Sequence, residues 1–160
     1  MVVIRPAIEA DVEAIAAIAT ASFWSVCEQL EPGSHDHPGY RKLMVAEDRK
    51  EAAEFWKSTT IAEVHGKAVG VCILKFDENL LSGLWILPEN QGQGVGALLI
   101  DDAIASFKAR GATFVHLDVH TMNPAKRLYE RAGFEVTEET TRHSTGLGRD
   151  IPHFIMKKAI

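Results

Sequence analysis

Between Gln91 and Gly96 the chain reads QGQGVG, a hexapeptide set between the apolar run GLWILP and the helix-like run ALLIDDAIASF. No other stretch limits the fold as much, because a strand must hand over to a helix across a flexible turn. At such a junction the first backbone N–H groups of the helix have no intrahelical acceptor, and the helix dipole adds partial positive charge. Together they form a site for phosphate oxygens. Glycine suits the turn because a side chain would hold a phosphate away and because some turn positions need φ > 0. Gln91, Gly92, Gln93, Gly94, Val95, Gly96 and Ala97 therefore read as a cradle for a phosphorylated ligand, with two glutamine amides as extra donors. It is not a nucleotide P-loop, since Gly94-Val95-Gly96-Ala97 stands where Gly-Lys-Ser/Thr is required. A dinucleotide fingerprint matches only if Ala97 replaces its last glycine, and the elements before Asp118 come in the wrong order. For six residues alone, a tight turn without a ligand stays open as the alternative.

The flanking chain supplies elements for a mixed sheet. VVIRPA opens as a strand stopped by Pro6, and Val12, Ile15, Ile18, Ala19 and Phe23 recur at helical spacing. Residues 31–40 are rich in Pro and Gly and read as a loop, and residues 41–58 are helix-compatible with charges on most faces. Two β-rich runs meet at His65-Gly66-Lys67, which predicts a hairpin. Residues 80–87 form a further strand ended by Pro88. A helix follows the glycines and stops at Gly111, then come a strand (113–120), a short helix closed by Gly133, and two last strands (134–142 and 151–159). One domain over residues 1–160 is expected from the length.

Composition narrows the function. The formal net charge is −5 and no basic face is evident, which argues against nucleic acid as the main partner. An acidic patch that attracts a cationic amine is compatible with that charge. Cys27 and Cys72 show no Cys-x-x-Cys spacing, and Cys72 sits in an apolar run, so a reducing, cytoplasmic setting is expected. No signal-peptide pattern, and no apolar run long enough to span a bilayer, is read from the sequence.

LWILPENQGQGVGALLIDDAI resembles the central motif of the GNAT N-acetyltransferases, with Gln91, Gly94 and Gly96 at its marked positions. VHLDVHTMNPAKRLYERAGFE is similar to the second motif of that family, and the resemblance extends over nearly the whole chain, most faintly from Cys27 to Ser58. It implies an α/β (α+β) fold: a mostly antiparallel sheet of six or seven strands, splayed near the fourth, flanked by about four helices. It implies acetyl-CoA as co-substrate, with the diphosphate on the amides of Gln91 to Ala97 and the pantetheine arm along Ile86 and Leu87. An N–H near Leu87 would face the thioester oxygen. Tyr129 corresponds to the family tyrosine that protonates the leaving thiolate, although it also fits a core aromatic on an amphipathic helix. Asn123 would contact the pantetheine or cap the helix, and it precedes Tyr129 by six residues where much of the family has seven. Lys126 would reach a CoA phosphate or be exposed.

The pattern breaks at the general base. Many relatives carry a strand glutamate where this chain has Gly83. Glu28, Asp118, His120, Glu78 and a water chain are the substitutes on offer, and nothing in the sequence separates them. Asp118 also matches an acidic family position that needs no metal. His35-Asp36-His37 and the alternating His116, Asp118 and His120 invite a metal reading. Same-face strand neighbours nearly 7 Å apart converge poorly on one ion, and no metal is expected. Phe23, Trp24 and Glu28, with the 31–40 loop and Trp56, are candidates for an acceptor pocket, or else scattered core and surface residues. The expected activity is acetyl transfer to a primary amine of a small molecule or peptide by direct attack. A CoA-binding regulatory module without turnover is the alternative. No membrane partner is expected, and the final strands leave room for a homodimer.

Overall fold

The computed structural model describes every residue except 31, 33–37 and 146, with backbone only at 38–40. The His35-Asp36-His37 group and most of the loop expected over 31–40 thus lie outside the described residues, but residues 38–40, expected in that loop, are helical instead and open the helix that runs to Phe55. Among the described residues seven strands form one sheet in the order β1-β2-β3-β4-β5-β7-β6. They are β1 (Val2–Pro6), β2 (Thr59–Val64), β3 (Lys67–Lys75), β4 (Leu80–Ile86), β5 (Phe114–His120), β6 (Glu135–Ser144) and β7 (Arg149–Ala159). Every neighbouring pair is antiparallel except β4 and β5, which are parallel. The β2–β3 turn is a two-residue hairpin with both central residues left-handed, His65 at φ 52° and Gly66 at φ 74°. This geometry matches the twist of the strands it joins.

Among the described residues four α-helices cover the sheet: α1 (Val12–Leu30), α2 (Pro38–Phe55), α3 (Val95–Ala109) and α4 (Lys126–Arg131). Alternation along the strands divides the core between two faces. On one face Ile15, Ala16 and Ile18 of α1 and Ala52 of α2 pack on Ile61, Val71 and Ile73. On the other, Leu99, Ala103 and Phe107 of α3 and Tyr129 of α4 pack on Val115, Leu117 and Val119. Two expectations need correction. The first helix runs seven residues past Phe23 to Leu30, because WSVCEQL carries no breaker. With the turn before it, it makes a stretch, Glu9–Leu30, that is long and apolar enough to cross a membrane by length and composition. Its apolar stripe is instead built into the sheet core.

One irregularity places the site. The β3–β4 register slips so that Ile73 faces Gly83 and Leu74 faces Leu81, which leaves Ser82 as an extra residue in a bulge. Beyond it β4 leaves its other neighbour: β4 and β5 pair only at Leu80 and His116. From Leu81 to Ile86 β4 pairs with no strand on its β5 side among the described residues.

Candidate active site

Along β4 the backbone polar groups point to alternate edges. The Leu87 N–H donates to Val69 O of β3 at 2.8 Å. That donor is committed to the sheet, which moves the expected position by one residue: the Ile86 N–H faces the open edge. The Ile86 carbonyl accepts the Ser22 hydroxyl of α1 at 2.8 Å and the Gln91 amide at 3.0 Å. Both glutamine amides expected as phosphate donors are held by their own turn, since Gln93 Nε2 donates to Glu89 O at 2.9 Å.

The glycines of the turn divide by role. Gly92 and Gly94 have φ of 72° and 83°, and a Cβ built on either meets nothing within 4 Å. The space that a side chain would take at these two positions is open. Gly96 differs: its Cβ would stand 2.7 Å from Leu128 Cδ2, so this glycine lets α4 pack against the start of α3.

That packing sets Tyr129. Its ring is 7 % exposed and lies edge-on to Phe134, with centroids 6.2 Å apart. Burial, with Cys72 nearby, raises the phenol pKa well above its ordinary value. Tyr129 therefore holds its proton across the working pH range. Asn123 caps the turn into α4 through Oδ1, which accepts the Ala125 N–H at 2.9 Å. The Lys126 ammonium is paired with Glu130 at 2.5 Å.

A single cavity of about 1350 Å³ joins these parts, lined by Ile86, Gln91, Gly92, Gly94 to Ala97, Asn123 and Tyr129. Leu87, Gln93 and Lys126 stand outside its wall. Of the acceptor candidates Phe23 lines the cavity, its ring 6.3 Å from that of Trp85, whereas Trp24 and Glu28 do not.

On the far flank Asp118 lines the cavity but is bound by Arg142 Nε at 2.7 Å. His120 and His153 face each other across β5 and β7 with centroids 6.0 Å apart, and burial lowers both pKa values. His120 Nδ1 accepts the Met122 N–H at 2.9 Å, and His153 Nδ1 is buried without a partner among the described residues. His116 is turned to the Glu78 carbonyl at 2.9 Å. Among the described residues no group of three or more His, Cys, Asp or Glu side chains is placed to hold a metal ion.

The sequence reading did not reach the near flank. Glu47, Asp48 and Glu51 of α2 line the cavity beside Ser82, Gly83 and Trp85 of β4. Ser82 Oγ donates to Glu51 at 3.0 Å, and Thr20 Oγ1 donates to Asp48 at 2.6 Å. Met44, Asp48, Glu51 and Phe55 fall at helical spacing, the one signal that would have marked this face.

Residues 39–159 match the family model described as an acetyltransferase (GNAT) domain. The chain belongs to the GNAT family. Among curated proteins this GNAT chain is 39 % identical, over 64 residues, to a [ribosomal protein bS18]-alanine N-acetyltransferase of Haemophilus influenzae, a match covering 40 % of this chain and 44 % of that protein. An uncharacterized N-acetyltransferase of Methanocaldococcus jannaschii is 34 % identical over 88 residues, covering 49 % of this chain and 39 % of that protein. The chain thus spans less than half the length of either relative. Among solved structures, the PaiA N-acetyltransferase of Thermoplasma acidophilum in complex with coenzyme A superposes with a TM-score of 0.81 at 21 % identity, covering 100 % of this chain and 99 % of that one. A GCN5-related N-acetyltransferase of Rhodopseudomonas palustris gives 0.79 at 24 % identity, covering 99 % and 95 %. Both share the fold, including a mixed sheet of this kind.

Proposed function

We propose that this chain moves an acetyl group from acetyl-CoA to a primary amine of a small molecule or peptide, by direct attack of nitrogen on the thioester. One observation carries the reading: a single cavity is lined by the glycine turn, the unpaired edge of β4 and the buried phenol of Tyr129. Its size exceeds the ~300–1000 Å³ of ordinary small-ligand pockets, which suits a site for two substrates.

The diphosphate lies on the amides from Gly92 to Ala97, where the α3 dipole and open space favour it. The pantetheine amides pair with the free edge of β4 as an added strand would. The Ile86 N–H stands on that edge as the donor for the charge that builds on the thioester oxygen. Nitrogen bonds to the acyl carbon, the carbon–sulfur bond breaks, and the Tyr129 hydroxyl gives its proton to sulfur. The acidic wall of Glu47, Asp48 and Glu51 favours an acceptor that arrives as an ammonium ion. The Haemophilus relative is named for an alanine of a ribosomal protein, which supports a peptide α-amine as one acceptor class.

Thiol release from acetyl-CoA, measured over a panel of small amines and peptide N-termini, tests the proposal. Amine-dependent release is the expected result. A second reading, a CoA-binding module without turnover, is favoured by the missing carboxylate at Gly83. Saturable CoA binding in calorimetry without release for any amine would establish it. No binding of CoA at all would end both readings.

A further inference from the structure

We propose that Asp48, on α2, is the proton acceptor of this transfer, in place of a carboxylate on β4. The inference rests on the acetyl transfer proposed above.

The strand position is closed to such a group. A Cβ on Gly83 would lie 2.7 Å from Trp85 Nε1 and 3.3 Å from Trp85 Cδ1, so the indole fills the space over the glycine. A base must therefore come from another element that faces the cleft. α2 does so through Met44, Asp48, Glu51 and Phe55, a stripe with spacings of four, three and four that lines the cavity throughout. The bulge residue Ser82 ties this stripe to β4 by its 3.0 Å bond to Glu51.

The chemistry of the wall favours Asp48: Glu47, Glu54 and Asp101 line the cavity as exposed side chains, and the exposed His143 pairs with Asp150. Glu51 is engaged by both Ser82 and the Lys75 ammonium, at 3.0 and 3.5 Å. Asp118 is bound by Arg142. His120 accepts a backbone N–H at Nδ1, which leaves the neutral ring's proton on Nε2, so the ring is a donor there and not an acceptor. His153 Nδ1 is buried out of reach, and Glu28 and Glu78 stand outside the wall. Among the described residues Asp48 accepts one bond, from Thr20, through Oδ2, and Oδ1 is left to meet an amine.

Its surroundings also suit the task. Burial, then the charges of Glu51 and Glu47, push the Asp48 pKa up to about 6, against the lowering effect of the Thr20 bond. A base near neutrality combines availability with driving force. Of the other charged groups around it, Lys50 and Glu54 of α2 line the cavity as exposed side chains. On α2 Arg49 pairs with Glu13 of α1, and on β3 Lys75 pairs with Glu51. From the β6–β7 turn Thr145 reaches Glu47, and at the start of β7 Arg149 acts on Cys27 of α1.

The protons balance. Asp48 takes one from the ammonium, and the neutral nitrogen attacks the acyl carbon. Sulfur leaves and receives the Tyr129 proton. The second proton, lost as the amide forms, restores Tyr129 through solvent, and Asp48 returns its own to solvent.

The test is the pH profile of kcat/KM for thiol release with an amine that the wild type acetylates. The wild type should rise about tenfold per pH unit below pH about 6 and level above it. Asp48→Asn should lose that limb and fall at least ~100-fold at pH 7, within the range expected for a lost general base, with acetyl-CoA affinity unchanged. Thr20→Val keeps the carboxylate but removes the bond that lowers its pKa, so the limb should move to higher pH. A folded Asp48→Asn enzyme that keeps the limb and stays within threefold of the wild type overturns the inference. So does an unmoved limb in Thr20→Val, which decides the matter if Asp48→Asn does not fold. A wild type that releases no thiol with any amine removes the transfer itself. Turnover that is indifferent to Asp48 removes this inference alone.

Discussion

Gly96→Ala separates the packing glycine from the ligand glycines. The added methyl would stand 2.7 Å from Leu128 Cδ2 and 3.4 Å from Ile86 Cδ1. Carbon atoms rest at about 3.5–4.0 Å, so the first contact is too close by roughly 1 Å. Leu128 is half-buried between the core under α3 and the cavity, so its end methyl yields by turning toward the cavity and away from its present packing. Overpacking of this kind costs about 1–3 kcal/mol, and the better helix propensity of alanine returns at most ~1 kcal/mol. The expected net loss is ~1–2 kcal/mol, or roughly 2–8 °C in Tm for a chain of this size. Leu128→Ala removes the obstructing carbon, so the two changes must couple. The double variant should be more stable than the sum of the singles by about 1 kcal/mol or more in urea unfolding. The control is Gly94→Ala, whose methyl meets no protein atom and whose strain at φ 83° costs ~1–2 kcal/mol. A methyl at this position adds bulk and strain to the turn assigned to the diphosphate, so CoA affinity should fall at least tenfold, while Gly96→Ala keeps it within a few-fold. Additivity of Gly96→Ala and Leu128→Ala within ~0.5 kcal/mol would refute the packing argument. CoA binding by Gly94→Ala at wild-type strength would refute the cradle.

Tyr129→Phe keeps the ring against Phe134 and removes only the hydroxyl, so kcat should drop ~10²-fold or more with the Kd for CoA nearly unchanged, by stopped-flow and calorimetry. Equal loss of both would count against the acid role. Asp48→Asn should also stabilise the fold at neutral pH. The folded pKa of about 6 lies above the unfolded value of 3.8, so this group's contribution is most favourable below pH 3.8 and is lost as pH rises through 6. The full shift corresponds to ~3 kcal/mol, and solvent screening of a half-buried carboxylate reduces this to ~1–2 kcal/mol. Thermal melts of the two proteins should converge near pH 4 and separate by pH 7, with the variant higher. A variant less stable than the wild type at pH 7 would contradict the burial of this charge.

Much of the architecture was readable because the signals were local. The two-residue β2–β3 turn, the glycine stop after α3 and the alternation of Phe114 to His120 each depend on a few neighbouring residues. The limits of α1 and α2 were not readable in this way. α2 carries charges on most faces and few apolar residues, so its one structured stripe is thin, and the chain around it lacks the family's marks. The cradle and Tyr129 were reached through motifs, whereas Asp48, Glu51 and Ser22 were missed. Their roles arise from contacts across 28 to 64 residues of sequence, which periodicity does not carry. Leu87 and Ile86 show the same limit on a finer scale. Which of two adjacent N–H groups faces the cleft depends on register with β3, a property of the pair of strands.

The bulge at Ser82 links these observations. An extra residue in one strand increases local twist and turns its neighbours. Here it stands where β4 parts from β5, so the same distortion that opens the backbone edge for the donor also turns Ser82 toward α2. The bond from Ser82 to Glu51 then holds the acidic stripe of α2 beside the opening. A carboxylate on β4 at Gly83 would compete with Trp85 for one volume, and the chain keeps the indole. With the strand position closed, proton transfer passes to the helix that the bulge anchors. Disturbing Ser82 should accordingly affect the acceptor side of the reaction before it affects the grip on CoA, because the glycine turn is held separately, by Ile86, Gln91 and the packing of α4.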